Sequence, residues 1–215
     1  MNYFIISLKE KYFQKKGREL LISGKLEKAF SYFQKAVLLN DSTDNIFNLA
    51  LSLLSLSKYS EAEKYFKKIY QDFPDNEINI LSLAECLIMQ RKWDEAIDHY
   101  RILVEKKPQS EPLKAYLAQA EDVVAREKYV KSKELFYKAQ IEIRKKNDTK
   151  ALEYLLEAEE YDPKNPNTLN NIGSVLLLKK EFKKAYGYFE KAVVLAPQNK
   201  KFQKNLLHVK RKLRK

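Results

Sequence analysis

An alanine followed four residues later by a large apolar residue recurs five times along this chain. The five pairs are Ala29/Phe33, Ala62/Phe66, Ala96/Tyr100, Ala151/Leu155 and Ala185/Phe189. The steps between successive alanines are 33, 34, 55 and 34 residues. A period near 34, with apolar residues at helical spacing inside it, predicts a solenoid of helical hairpins. Solenoids of this kind more often serve as binding surfaces than as catalysts.

The segment 166–199 shows one repeating unit most clearly. A first apolar stripe comprises Leu169, Ile172, Gly173 and Leu176, and a second comprises Phe182, Ala185, Phe189 and Ala192. Both stripes have helical spacing, and Pro197 closes the unit because proline cannot continue a helix interior. The chain has no run of alternating β-branched residues bounded by hairpin turns, so the predicted fold class is all-α.

This pattern resembles the tetratricopeptide repeat family. The matching units are 10–43, 43–76, 77–110, 132–165 and 166–199. Four of the six prolines, Pro74, Pro108, Pro163 and Pro197, fall at the same closing position of their units. The resemblance implies a right-handed superhelical solenoid of antiparallel helix hairpins, with a C-terminal capping helix over the last repeat.

The array departs from this pattern between the third and fourth units. The 55-residue step leaves residues 111–131 as an extra segment, and Asp148 replaces the aromatic residue of the family pattern. No Gly or Pro interrupts 113–162, so 113–146 forms either one long helix or two helices with a tight joint. The expected organisation is an N-terminal extension with three repeats (1–110), a connecting helix (111–131), two repeats (132–199) and a basic capping helix (200–215).

Positive charge is concentrated at the C-terminal end of the chain. Of the net charge of +12, residues 1–110 carry +2, and residues 200–215 hold eight basic side chains and no acidic one. This segment also has Phe202, Leu206, Val209 and Leu213 on one helical face. It is interpreted as a capping helix with solvated charges, as a contact for nucleic acid or a lipid surface, or as both at once. The candidate anion-binding residues are Asn171, Lys201, Lys204, Lys210, Arg211, Lys212 and Arg214.

The sequence lacks the residue groups that catalysis and cofactor binding require. His99 and His208 have no second ligand at metal-binding spacing, and the four glycines are too scattered to form a phosphate loop. The single Cys86 cannot form a disulfide within the chain and is expected to pack in the core. We therefore predict a non-enzymatic, cytoplasmic protein without a cofactor. The apolar stretch at residues 1–8 is too short for a signal peptide or membrane span.

The resemblance to tetratricopeptide repeats further implies that the first helices of the repeats line a concave groove. The candidate groove residues are Gln14, Arg18, Phe47, Asn48, Leu51, Ile78, Leu81, Glu85 and Met89. An apolar centre with a polar rim suits an amphipathic helix or an extended apolar peptide. The predicted function is therefore a protein-interaction scaffold or adaptor. The alternatives are anion binding through the basic tail and a self-assembling structural protein that uses the exposed edge of an incomplete array. The groove itself is open to an external peptide or is covered by a helix of the same chain or by a second copy.

Overall fold

The computed structural model describes residues 3–214, with side chains from Ile5 onward. This part of the chain forms twelve α-helices and no β-strand, which confirms the predicted all-α fold. The helices are α1 (Tyr3–Ile22), α2 (Leu26–Leu39), α3 (Thr43–Ser55), α4 (Tyr59–Asp72), α5 (Glu77–Met89), α6 (Trp93–Lys106), α7 (Glu111–Glu121), α8 (Val123–Arg144), α9 (Asp148–Tyr161), α10 (Pro166–Leu178), α11 (Phe182–Leu195) and α12 (Lys200–Leu213). Met1, Asn2 and Lys215, which belong to the predicted N-terminal extension and basic tail, lie outside the described residues.

The helices belong to two units that divide between Val123 and Val124. In the first unit, α1 packs against α2, α3 against α4 and α5 against α6, and each hairpin also packs against the helix that follows it. In the second unit, α10 packs against α9 and α11, and α12 packs against α10 and α11. Each hairpin therefore buries its apolar stripe against its neighbours in sequence, as in a solenoid.

In two hairpins, a glycine of the first helix lies directly against a phenylalanine of the second. A Cβ atom added to Gly17 would lie 2.6 Å from the Phe33 ring, and one added to Gly173 would lie 2.8 Å from the Phe189 ring. The same sixteen-residue spacing relates Ala50 to Phe66, Ala84 to Tyr100 and Ala139 to Leu155. All of these residues are buried. The two helices of a hairpin can therefore approach closely enough for the large side chain to fill the space between them.

The turn between the two helices of a hairpin uses a left-handed residue. Positive φ angles occur at Gly24, Ser57, Arg91, Lys146 and Lys180, with values from 58° to 76°. These residues are separated by 33, 34, 55 and 34 residues, the same steps as the alanines. Only Gly24 has the residue type that favours this conformation.

The extra segment between the third and fourth repeats contributes to two helices. The first of them, α7, packs against α6 and ends at Glu121. Asp122 has extended backbone angles of φ −77° and ψ 115°, and α8 begins at Val123. The structure thus has two helices where the sequence also allowed one long helix. The predicted division at residue 131 falls inside α8.

A buried carboxylate ties α4 to the turn between α5 and α6. Glu63 is 7% exposed, and its oxygens accept hydrogen bonds from Lys92 Nζ at 2.8 Å and Gln90 Nε2 at 2.7 Å. Lys67 Nζ lies 2.8 Å from Glu63 Oε1. Burial alone would raise the pKa of Glu63, but the hydrogen bonds from Lys67, Lys92 and Gln90 more than offset this effect and hold the pKa at about 2.

The two glycines of the last hairpin predict opposite effects of the same substitution. Gly173→Ala should lower the free energy of unfolding by about 1–3 kcal/mol, because its Cβ overlaps the buried Phe189 ring. Gly187→Ala in α11 should raise it by about 0.5–1 kcal/mol, because the added Cβ meets no atom and alanine favours the helix. Urea unfolding followed by circular dichroism measures both. Equal effects of the two substitutions would contradict the close contact.

The low pKa of Glu63 predicts a loss of stability in acid. Its contribution is fully present above the ordinary carboxyl pKa of 4.5 and is lost as the pH falls towards about 2. Glu63→Gln should cost about 1–3 kcal/mol at pH 7, and the difference from wild type should shrink below pH 4.5. Glu61→Gln, at an exposed pair with Lys58, is the control and should change stability by less than about 0.5 kcal/mol. Urea unfolding at several pH values tests this, and a Glu63→Gln effect that is independent of pH would refute it.

Candidate functional site

The predicted groove residues lie on α1, α3 and α5, and α3 contacts both α1 and α5. We call this row of three first helices the first-helix face of the first unit. Gln14, Phe47, Asn48, Leu51, Leu81 and Glu85 are half-buried, Arg18 and Ile78 are exposed, and Met89 is buried. Eight of the nine predicted residues therefore have side-chain surface that a ligand could reach.

The apolar part of this face comes from α3 and α5. Leu51 and Leu81 are half-buried, and Ile78 at the start of α5 is 67% exposed. Phe47 is also half-buried, but its ring packs edge-on against buried Phe66 with 5.7 Å between the ring centroids. Phe47 is thus shared between the core and the face, whereas the two leucines are better placed to meet a ligand.

Met89 does not belong to this surface. It is 5% exposed, and Cys86, Leu87 and Ile88 before it are buried to the same degree or more. The last turn of α5 is apolar on every side, and a helix of that kind is covered all round. Met89 is therefore a core residue, contrary to its prediction as a groove residue.

The buried Cys86 thiol, whose pKa burial raises, is also a packing residue, as predicted.

Polar side chains border the apolar part on α1 and α3. Gln14 Nε2 donates to Asn45 Oδ1 at 2.5 Å, and Asn45 Nδ2 donates to Glu10 Oε1 at 2.9 Å, so this trio links α1 to α3. Arg18 and Asn48 make no hydrogen bond or ion pair with the described side chains. These two groups remain able to bind polar atoms of a partner.

In the second unit, the predicted anion-binding residues lie on α10 and α12. Phe202 and Val209 anchor α12 in the core of this unit, as expected of a capping helix, whereas Leu213 is 40% exposed. Asn171 is half-buried on α10, and it is the neighbouring Asn170 that accepts a hydrogen bond from Asn205 Nδ2 at 2.8 Å. The basic side chains Lys201, Lys204, Lys210, Arg211, Lys212 and Arg214 are all exposed, and none forms an ion pair with the described residues.

The two histidines of the chain have different surroundings. His99 is half-buried, and its ring packs edge-on against Tyr70 with 5.1 Å between the ring centroids. Burial lowers its pKa, and nearby Lys67 acts in the same direction. His208 is exposed on α12.

The described residues hold no group of three His, Cys, Asp or Glu side chains placed to bind a metal. No described helix combines the length and apolar composition needed to cross a bilayer.

The structure also shows surfaces that sequence reasoning did not predict. A cleft of about 420 Å³ opens between α2 and α4, and none of the predicted groove residues lines it. On α1, Ile5, Leu8 and Tyr12 are between 44% and 55% exposed. Val37 lies in the second helix of its repeat, and the equivalent residue differs in other repeats, such as Tyr70 and Glu159. This difference in side-chain size is the sequence signal that could have predicted the cleft.

The fold and these surfaces define a helical-repeat scaffold that presents side chains for binding. Three models of the tetratricopeptide repeat match the chain, over residues 10–43, 53–120 and 138–200. The chain belongs to the tetratricopeptide repeat family. Proteins of this family are typically interaction modules without catalytic activity.

Individual proteins resemble the chain only distantly or over short stretches. An uncharacterized protein of Methanocaldococcus jannaschii is 46% identical over 59 residues, which are 27% of this chain and 69% of the relative. MamA (41-end) from Desulfovibrio magneticus RS-1 has a TM-score of 0.45 and 16% identity, over 89% of this chain and 97% of that one. The second tetratricopeptide repeat domain of human RPAP3, in complex with an HSP70 peptide, has a TM-score of 0.49 and 17% identity, over 56% and 99%. These identities are too low, or the matched stretch too short, to transfer a ligand to this chain. A ligand has to be inferred from the chain's own residues.

Proposed function

We propose that this protein is a non-catalytic scaffold that binds a peptide or amphipathic helix of a partner protein on the first-helix face of its first unit. The observation that carries the proposal is the half-buried pair Leu51 and Leu81 on the adjacent helices α3 and α5. Arg18 and Asn48 at the border have no partner among the described side chains. Apolar side chains of a ligand would pack on the leucines, and its polar atoms would bind the border. The cytoplasmic location stays a prediction.

The charge of the first unit agrees with an apolar mode of binding. Residues 1–123 carry 18 basic and 18 acidic side chains, so no strong field of one sign favours an ionic ligand there. Apolar burial would therefore supply most of the affinity, and a rise in salt concentration should weaken binding only slightly. This behaviour separates the first-helix face from a basic surface.

The double substitution Leu51→Glu with Leu81→Glu should abolish peptide binding. Two carboxylates in the apolar centre cannot be buried without partners, so the affinity should fall at least about 10-fold. Peptides selected by phage display on the wild-type chain, measured by fluorescence anisotropy, supply the readout.

The matched control is Leu156→Glu with Val194→Glu, at exposed positions of the second unit. It should bind the selected peptides as the wild type does. Circular dichroism should show unchanged helicity in both variants. If the peptides bind the Leu51/Leu81 variant with undiminished affinity, the first-helix face is not the site.

A second candidate function is anion binding by α12. Its support is the row of exposed basic side chains on α12 that form no ion pair with the described residues. Lys210 Nζ lies 5.5 Å from the Tyr186 ring centroid, so that cation has an aromatic neighbour but no counter-charge. Phosphate groups of a nucleic acid would neutralise such charges and release counter-ions.

Anion binding by α12 predicts a steep dependence on salt concentration. The affinity for fluorescent single-stranded RNA should fall as salt rises, with a slope that reflects the number of phosphates contacted. Lys201→Gln with Lys204→Gln and Arg211→Gln should weaken binding at least about 10-fold and reduce the slope by up to about 3. The control, Lys179→Gln with Lys180→Gln and Lys183→Gln, removes the same charge elsewhere in the second unit. Equal losses in both variants, or an affinity that ignores salt, would exclude a site on α12.

A further inference from the structure

The cleft between α2 and α4 is lined mainly by the second helices of the first two repeats. Its volume is about 420 Å³, the size of small-ligand sites. Leu49 of α3 forms its floor, and Val37, Leu38 and Tyr65 form its apolar walls. Leu38 is 84% exposed, so an apolar side chain that is costly to leave in water stands at the opening.

The next repeat shows what normally fills this space. One repeat further along, Tyr70 takes the place of Val37, and His99 takes the place of Tyr65. Their rings pack edge-on at 5.1 Å and close the junction between α4 and α6. The cleft between α2 and α4 therefore exists because valine, which has no ring, stands where the next repeat has a tyrosine.

The equivalent junction in the second unit is closed by a hydrogen bond. Glu159 of α9 stands at the position of Val37, and Tyr188 of α11 at the position of Tyr65. Tyr188 Oη donates to Glu159 Oε2 at 3.0 Å. At the first junction, by contrast, Tyr65 makes no hydrogen bond with the described residues. A ligand in the cleft could supply both the missing ring and an acceptor for this hydroxyl.

The opening of the cleft carries an uncompensated positive charge. Lys35 lines it together with Ser31 and Gln34, and none of the three makes a hydrogen bond or ion pair with the described residues. Lys35 Nζ lies 5.3 Å from the Tyr32 ring centroid, which places the cation but does not neutralise it. A carboxylate next to the aromatic ring of a ligand would complement this charge.

We propose that the cleft between α2 and α4 is a second binding site, which takes an aromatic side chain of a partner protein with a carboxylate beside it. The ring occupies the space that Tyr70 fills in the next repeat, and the carboxylate pairs with Lys35. This site is distinct from the proposed peptide site, because none of the nine predicted groove residues lines the cleft.

The probe for this site is 4-hydroxyphenylacetate, which joins a phenol ring to a carboxylate. For a ligand of this size we expect a dissociation constant of about 1–10 mM. Amide resonances of Ser31–Leu38 and Tyr65 in an NMR titration should shift and saturate. 4-Methylphenol, which lacks the carboxylate, should bind more weakly. Shifts that do not saturate, that map elsewhere, or that are as strong for 4-methylphenol would overturn the proposal.

Three variants test the two parts of the site. Val37→Tyr supplies the ring from within the chain, and should abolish the saturable shifts. Lys35→Glu should weaken binding at least about 5-fold. Lys28→Glu, an exposed lysine of α2 outside the cleft, is the matched control and should leave binding unchanged.

Further controls separate this site from folding defects and from the proposed function. If Val37→Tyr does not fold, Leu38→Glu at the exposed wall serves in its place and should also weaken binding. The Leu51/Leu81 variant should bind the probe as the wild type does. Retained binding by Val37→Tyr or Leu38→Glu, or equal losses for Lys35→Glu and Lys28→Glu, would show that the cleft is not a site of this kind.

Discussion

The contact between a small residue of the first helix and a large residue of the second determines the geometry of each hairpin. A Cβ at Gly17 or Gly173 would overlap a buried phenylalanine ring, so the helices of these two hairpins lie closer together than a larger residue there would permit. The large residue also packs beyond its own hairpin, since Phe33 shares a buried cluster with Leu49 of α3. One contact thus joins the helices of a hairpin and stacks that hairpin on the next.

This stacking has different consequences for the two sets of helices. The first helices α3 and α5 carry Leu51 and Leu81, which are both half-buried and so retain exposed surface. The second helices meet through pairs such as Tyr70 with His99, and the junction stays open where a pair lacks its bulky member. Binding surfaces can therefore arise on both sets of helices. The first helices present exposed side chains, and the second helices leave a cleft where a junction is unfilled.

Most of the fold could be predicted from the sequence because the packing positions repeat. Ala29, Ala62, Ala96, Ala151 and Ala185 are all fully buried, as their regular spacing implies. The turns were less visible, because Ser57, Arg91, Lys146 and Lys180 adopt left-handed angles without being glycine. Met89 was misplaced because position in the repeat does not show that every side of the last turn of α5 is covered. The sequence does not decide between one helix and two at Asp122, because neither Gly nor Pro marks the end of α7. The division into three and two repeats stays a prediction.

The local character of solenoid packing makes the candidate surfaces separable by experiment. Each hairpin packs mainly against its neighbours, so a change at an exposed side chain should act near its own position. The three surfaces also differ in the force that dominates binding. Apolar burial at Leu51 and Leu81 depends weakly on salt, phosphate binding by α12 depends on it steeply, and the cleft beside Lys35 combines a ring with a single ion pair. The salt dependence of an observed ligand, together with the variant that abolishes its binding, would therefore identify the surface that it occupies.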